Sequence, residues 1–196
     1  MPPISAARLF IVLTGVPGVG KSTVAEMLAD RLGGAHIDLS DIAEKRGLIT
    51  GWDEERETAI ADIDRLRQQL TQIHDSSEGP LIVEGHFAAD VVPPEAASFI
   101  FVLRRAPWRL KDELEARGYG KMKVRENVEA ELLDVCLVGA LEAHDPERVC
   151  EVDTTGGSWE DVVEEILSII NGDAVCRRGR IDWLGRAESK RLLEDG

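Results

Sequence analysis

Gly15-Val16-Pro17-Gly18-Val19-Gly20-Lys21-Ser22 obeys the pattern G-x-x-x-x-G-K-[ST], the spacing of a loop that wraps phosphate. The flanks decide whether that spacing is accidental. Residues 9–13 are a continuous apolar run, as a strand buried on both faces requires. Downstream, Val24, Leu28 and Leu32 recur every fourth residue with Glu26, Asp30 and Arg31 between them, which predicts an amphipathic helix. Strand, glycine-rich turn and helix N-terminus therefore follow one another in the order a phosphate loop needs. A chance glycine-rich turn would lack that context.

The residue types explain the chemistry. Gly18 and Gly20 carry no Cβ, so the backbone can approach a ligand and aim successive N–H groups at an anion. The following helix presents unpaired N–H groups and its positive dipole end to the same point. Lys21 is placed to reach the β- and γ-phosphates, the Ser22 hydroxyl to ligate Mg²⁺, and Thr23 to offer a hydroxyl near the α-phosphate.

Working outward, five apolar segments alternate with helical patterns, which predicts an α/β fold. They lie at residues 9–13, 35–39, 81–84, 98–103 and 149–152. Residues 1–7 read as a loose lead-in. Ser40-Asp41 is the expected cap of a short helix ending at Gly47, residues 51–56 a polar turn around Trp52, and residues 62–72 a helix. A single long helix is expected over 127–141, with Val128, Leu132, Val135 and Val138 inward. Ser158 is its successor's N-cap, with Asp161 three residues on. Residues 1–172 thus form one domain, and 173–196 a C-terminal tail that could pack as a further helix, dock a partner or stay mobile. The loop 153–158, at a strand's carboxyl end, could line a base pocket.

Two further groups bear on function. Glu84 closes the strand at 81–84, where phosphate-loop proteins place an acid for Mg²⁺ or its water shell, and His86 follows it. Arg104, Arg105, Arg109, Arg117, Lys121 and Arg125 concentrate positive charge, with Gly118 and Gly120 as hinges, which reads as a basic segment closing over nucleotide phosphates or as an ordinary basic turn with some cations paired to Glu113 and Glu115. His36 has no partner at metal-ligand spacing and reads as an ordinary partly buried histidine.

Composition sets limits. The chain has 196 residues, with 23 Lys and Arg against 37 Asp and Glu, giving a net charge of −14. A surface that binds nucleic acid in general would be basic, so that class is disfavoured. Cys136, Cys150 and Cys176 are odd in number and show no C-x-x-C spacing, so they are expected as reduced cytosolic thiols. No apolar run reaches the length of a spanning helix, and a soluble cytoplasmic protein without membrane contact is expected.

Several stretches together resemble one family, the small adenylate kinases of the isoenzyme-6 type and their archaeal members. The matching pieces are the phosphate loop through Thr23, Gly51-Trp52-Asp53-Glu54-Glu55, Asp62-Ile63-Asp64-Arg65, Ile82-Val83-Glu84-Gly85-His86, Phe101-Val102-Leu103-Arg104, Arg117-Gly118-Tyr119 and Glu126-Asn127-Val128-Glu129-Ala130-Glu131. The resemblance implies a phosphate-loop NTPase fold with a five-stranded parallel sheet, helices on both faces, and short lid and monophosphate-binding regions. It implies the reaction ATP + AMP ⇌ 2 ADP with Mg²⁺, ATP hydrolysis, and a role in small ribosomal subunit maturation beside a ribosomal protein partner. Gly18, Gly20, Lys21, Ser22 and Thr23 would hold ATP, Ser22 and Glu84 the metal, and Lys21, His86 and Arg117 would be catalytic, with Arg104 or Arg105 as further cations. Residues 38–61 would form the monophosphate site and 116–126 the lid. Three departures stand out. Asp41-Ile42-Ala43 is followed by Glu44 rather than Arg, Gly85-His86-Phe87-Ala88 replaces a Gly-Phe-Pro-Arg turn, and Glu84 stands where family members often have Asp. They favour slower kinase turnover or a dominant ATPase. A kinase of another small acceptor, such as shikimate or a nucleoside, ranks behind these readings.

Overall fold

The structure, a computed structural model, describes residues 9–54 and 58–194. The expected lead-in at 1–7 and part of the turn expected at 51–56 lie outside the described residues. Five strands form one parallel sheet: β1 (Phe10–Thr14), β2 (Ala35–Asp38), β5 (Leu81–Glu84), β6 (Phe99–Arg104) and β7 (Val149–Asp153). Their order is β2-β5-β1-β6-β7. β1 sits at the centre and all five of its residues are buried, which is why it reads as an unbroken apolar run.

Alternation along β1 divides the core. Ile11 and Leu13 belong to a cluster with α1 (Lys21–Leu32), α5 (Pro107–Ala116), α6 (Lys121–Leu132) and α8 (Trp159–Asn171). Phe10 and Val12 belong to a second cluster with α2 (Leu39–Lys45), α3 (Ile63–Ser76), α4 (Ala88–Val91) and α7 (Val135–Ala143). Each fully buried aliphatic side chain contributes roughly 1.5–3 kcal/mol.

Four expectations need correction. Asp38, not Ser40-Asp41, caps α2, accepting from the Ser40 and Asp41 amides. The segment around Trp52 is no mere turn, because β3 (Ile49–Asp53) and β4 (Thr58–Ala61) pair as an antiparallel hairpin. The long helix expected over 127–141 is two helices. They break at Asp134, the one non-glycine at positive φ (56°) among the described residues. A left-handed residue costs roughly 1–2 kcal/mol, offset here by the charged hydrogen bond from Arg104 Nη2 to the Asp134 carboxylate. The break leaves Val135 and Val138 exposed.

Cys150 and Cys176 are not separate thiols. They form a disulfide, their Cα atoms 5.1 Å apart, because the chain beyond α8 folds back along β7. Such a long-range pairing leaves no local spacing to read. Cys136 is free. The folded-back segment is well seated: Ile181 and Trp183 are buried, and α9 (Ala187–Glu194) closes the chain. Among the described residues no helix is long and apolar enough to cross a membrane.

One buried ionic cluster ties these parts together. Arg104, 1% exposed, donates to Glu131 Oε1 at 2.8 Å from β6 to α6, to Glu151 Oε1 at 2.6 Å on β7, and to Asp134. Glu131 Oε1 also accepts from the Arg105 amide (3.1 Å) and from Trp183 Nε1 (2.8 Å). Burial pushes the Glu131 carboxyl up to about 7, against the pull of Arg104. Its folded pKa therefore lies above the unfolded value, and the stability it contributes is fully present below about pH 4 and is lost as pH rises through about 7. Glu131→Gln fixes the uncharged form. Thermal melts should show the variant gaining on wild type between pH 5.5 and pH 8.5, and a constant offset would mean that Glu131 stays ionised.

Candidate active site

The carboxyl ends of β1 and β5 lie side by side, with Leu13 opposite Glu84. Beyond β1 the phosphate loop turns into α1, whose first residue is Lys21 and whose cap is Gly20 in the left-handed region (φ 95°). The glycines are required by packing as much as by any ligand. A Cβ on Gly15 (φ 142°) would stand 2.5 Å from the Leu103 carbonyl oxygen, and one on Gly20 would stand 2.4 Å from the Trp159 ring. Thr154 braces the loop from β7's end, its hydroxyl 3.1 Å from the Val19 carbonyl and 3.0 Å from that of Arg104. Thr155 accepts from the Ala106 amide at 2.8 Å. Two hydroxyls of the loop expected to line a base pocket are thus spent on bracing.

Lys21 Nζ donates to the Gly15 carbonyl at 2.9 Å and to Val16 at 3.1 Å. An ammonium has three donors, so one remains for an incoming oxygen. Burial lowers the Lys21 pKa, while the Glu84 carboxylate chiefly pulls it back up. The Ser22 and Thr23 side chains are exposed at the start of α1.

Glu84 is 2% exposed, and its Oε1 accepts no hydrogen bond within the protein. His36 Nε2, on a side chain 21% exposed, lies 3.4 Å away, likewise without a hydrogen bond, and pairs ionically with Glu84 only when the ring is protonated. A buried carboxylate oxygen without a hydrogen bond, whose charge is felt by the Lys21 ammonium, fits a hard cation that takes one or two protein oxygens and completes its shell from water and phosphate. No group of three or more His, Cys, Asp or Glu side chains suited to a metal occurs among the described residues, and such a cation needs none.

His86 is drawn to the same point. Its Nδ1 lies 3.3 Å from the Gly15 carbonyl, and its own carbonyl accepts from the Thr14 hydroxyl at 3.0 Å. A carbonyl can only accept, so Nδ1 carries the proton of the neutral ring and Nε2 is left as acceptor. Burial lowers the His86 pKa, the Gly15 bond partly restores it and Lys21 lowers it further, which favours the neutral ring. Cys136 Sγ is 3.6 Å from Nδ1, and burial pushes this thiol up to about 12, so it is uncharged.

The cations divide sharply. Arg104 and Arg105 are occupied: Arg104 by its three carboxylates, Arg105 by Glu113 (Nε to Oε2, 2.8 Å), by the Thr154 carbonyl and by the Trp159 face (5.6 Å). They do not serve as free cations for a phosphate. Arg125 pairs with Glu129. Arg109, Arg117 and Lys121 are exposed, and their side chains have no partner among the described residues. Arg117 ends α5, one turn beyond Leu114, whose side chain lies against Gly18. The short link to α6 follows it.

His36 is the partly buried histidine the sequence implied, though its place beside Glu84 was not read; sequence reasoning missed Cys136 and the bracing by Thr154 and Trp159, which touch the site only through tertiary packing. The tight run of buried β-strand followed by His86 was the available signal for Cys136's neighbour alone. A cavity of about 790 Å³ lies elsewhere, lined by Arg67, Thr71, Asp90 and Pro93 among others, and includes none of these residues. The amide-lined loop, with its ammonium and unbonded carboxylate, is the better site.

A family model described as an AAA domain matches residues 11–134. A protein of Thermococcus kodakarensis named "Putative adenylate kinase" is 42% identical over 175 residues, covering 89% of this chain and 93% of its own. One of the same name from Methanothermobacter thermautotrophicus is 43% identical over 175 residues, covering 89% and 97%. Among solved structures, a shikimate kinase from Acinetobacter baumannii, in complex with shikimate, matches with a TM-score of 0.61 at 19% identity over 86% of this chain and 96% of that one. A gluconokinase from Sinorhizobium meliloti matches with a TM-score of 0.55 at 18% identity, over 87% and 95%. At such identities the likeness is one of fold. The curated relatives go further: this chain belongs to the family of archaeal phosphate-loop proteins that carry the adenylate kinase name.

Proposed function

We propose that this protein transfers the terminal phosphoryl group of ATP to a nucleoside monophosphate, AMP in the first instance. The observation that carries this reading is the pairing of an amide-lined loop, closed by the Lys21 ammonium, with the unbonded Glu84 oxygen beside it. The loop amides and the N-terminus of α1 would bind the β-phosphate. Lys21 would turn its free donor to the β- and γ-oxygens. Ser22 and Glu84 would hold Mg²⁺, which supplies positive charge between those oxygens. Arg117, unpaired at the start of the lid, would add charge to the transferring group. Phosphoryl transfer asks for position and charge rather than a covalent nucleophile, and none is assigned.

The acceptor would lie toward α2 and the β3–β4 hairpin, where Trp52 is 59% exposed and offers a ring on which a base could stack. A second reading has its own support. His86 Nε2, left as acceptor beside the loop, is suited to orient a water, which would make the protein an ATPase as well. The same family resemblance extends this reading to an assembly factor of the small ribosomal subunit with a ribosomal protein partner.

Incubation with Mg·ATP and each monophosphate in turn, counting phosphate released against diphosphate formed, tests the choice. Diphosphate formed in step with AMP consumed supports the kinase, whereas phosphate release indifferent to AMP supports the ATPase. Lys21→Ala should lower both activities by on the order of 10³-fold, and near-normal turnover would sink both readings. Arg117→Ala should slow transfer while shifting stability by no more than about 0.5 kcal/mol, since its side chain is exposed and has no hydrogen-bond or ion-pair partner among the described residues. Trp52→Ala should raise the KM for AMP and leave that for ATP unchanged, as steady-state kinetics with each substrate varied would reveal.

A further inference from the structure

α5 and α6 form a helical hairpin whose tip carries Arg117 and whose base is gripped by Trp183, with α9 packing against α5 as well. Trp183, 4% exposed, donates from Nε1 to Glu131 in the last turn of α6 (2.8 Å) and stands edge-on to Trp108 in the first turn of α5 (5.7 Å). α5 has 10 residues and α6 has 12, so the grip acts roughly 15–18 Å from the tip. Trp183 is delivered there by residues 176–183, which lie along β7. The Glu151 amide donates to the Arg177 carbonyl (2.8 Å), and the Arg180 amide donates to Glu151 Oε2 (3.1 Å). The covalent origin of this strap is the Cys150–Cys176 disulfide, which joins residues 26 apart.

We propose that this disulfide is a redox clasp for the lid: oxidised, it holds the strap so that Trp183 fixes the base of the α5–α6 hairpin, and reduced, it releases that hold and weakens nucleotide binding. Trp183 is a positioning residue in this scheme and touches no substrate. The reductant is a dithiol. Cys150 is fully buried and Cys176 only partly, so attack falls on the Cys176 sulfur. The S–S bond breaks, a mixed disulfide forms on Cys176, and Cys150 leaves as a thiolate that takes up a proton. The second thiol of the reductant then closes its own disulfide and frees Cys176 as a thiol. Two electrons and two protons pass from the dithiol to the protein. Once the clasp is open, the strap keeps its hydrogen bonds, the Arg180–Glu165 ion pair and the packing of Ile181, Trp183 and α9, while the chain regains the freedom the cross-link removed. Glu131 then shares its oxygen with Arg104 and the Arg105 amide alone whenever Trp183 is away.

The nucleotide half of this proposal rests on the function proposed above, so the test has a readout independent of it. Oxidised and reduced wild-type protein, with thiols counted in each, are compared by amide hydrogen exchange over residues 121–132, by calorimetry with Mg·ATP, and by steady-state kinetics. Reduction should speed exchange over 121–132 by about ten-fold or more and raise the Kd for ATP by about five-fold or more while kcat stays within about two-fold. Cys176→Ser should match reduced wild type and ignore the reductant. Trp183→Phe keeps a ring beside Trp108 but loses the N–H. It should show fast exchange with its disulfide intact and respond little to reduction. Equal exchange over 121–132 in the two wild-type states, at verified thiol content, overturns the clasp. If oxidised protein takes up no ATP, the functional reading fails, and the exchange data still decide the clasp.

Discussion

Everything at the candidate site depends on a backbone that turns tightly enough to aim its amides inward. That turn exists because its neighbours approach where side chains would otherwise stand. The Leu103 carbonyl presses on Gly15 and the Trp159 ring on Gly20, while Thr154 ties Val19 to the end of β6. The cup is therefore built by β6, β7 and α8 as much as by its own sequence. Its lysine is held by carbonyls of the same loop, so the positive charge is in place before any anion arrives. Such preorganisation is what makes fixed charge effective in a site sheltered from water.

A second centre sits one strand away and works by the opposite logic. Three carboxylates converge on Arg104, and two of them are almost wholly buried. A buried pair of this kind gives little net stability, but removing one partner strands the rest. Its role in the architecture is registration. It fixes β6 against β7, sets the corner at Asp134, and receives Trp183 from the far end of the chain. The corner in turn places Cys136, whose sulfur meets His86 beside the phosphate loop. The structural cluster and the chemical one are linked through these few residues.

The sheet was legible in the sequence because parallel strands are apolar on both faces, and residues 9–13, 81–84 and 98–103 say so directly. The position of Lys21 and Ser22 on the first turn of a helix was legible for the same local reason, as was the Ser158–Asp161 capping box. What escaped was long-range. The pairing of Arg105 with Glu113 was open as the alternative reading of the basic segment, but the Arg104 cluster escaped because Glu131 and Glu151 lie on other elements. Valines at helical spacing on both sides of Asp134 implied one helix, and only the distant guanidinium explains the bend. The hairpin around Trp52 was hidden by its polar, acid-rich composition, and the cysteine pair by a separation that no motif records.

The strap along β7 also alters what the sheet shows to the outside. A parallel sheet ends in two rows of unpaired amides and carbonyls, each a template on which another chain can add a strand. On the β7 side the Arg177 carbonyl already accepts from the Glu151 amide, the Arg180 amide donates to the Glu151 carboxylate, and a covalent bond holds the segment there. On the other side β2 is only four residues long and carries His36 and Asp38. One margin is partly covered by the protein's own chain and the other is short and polar, and both are features that discourage a neighbouring chain from adding a strand.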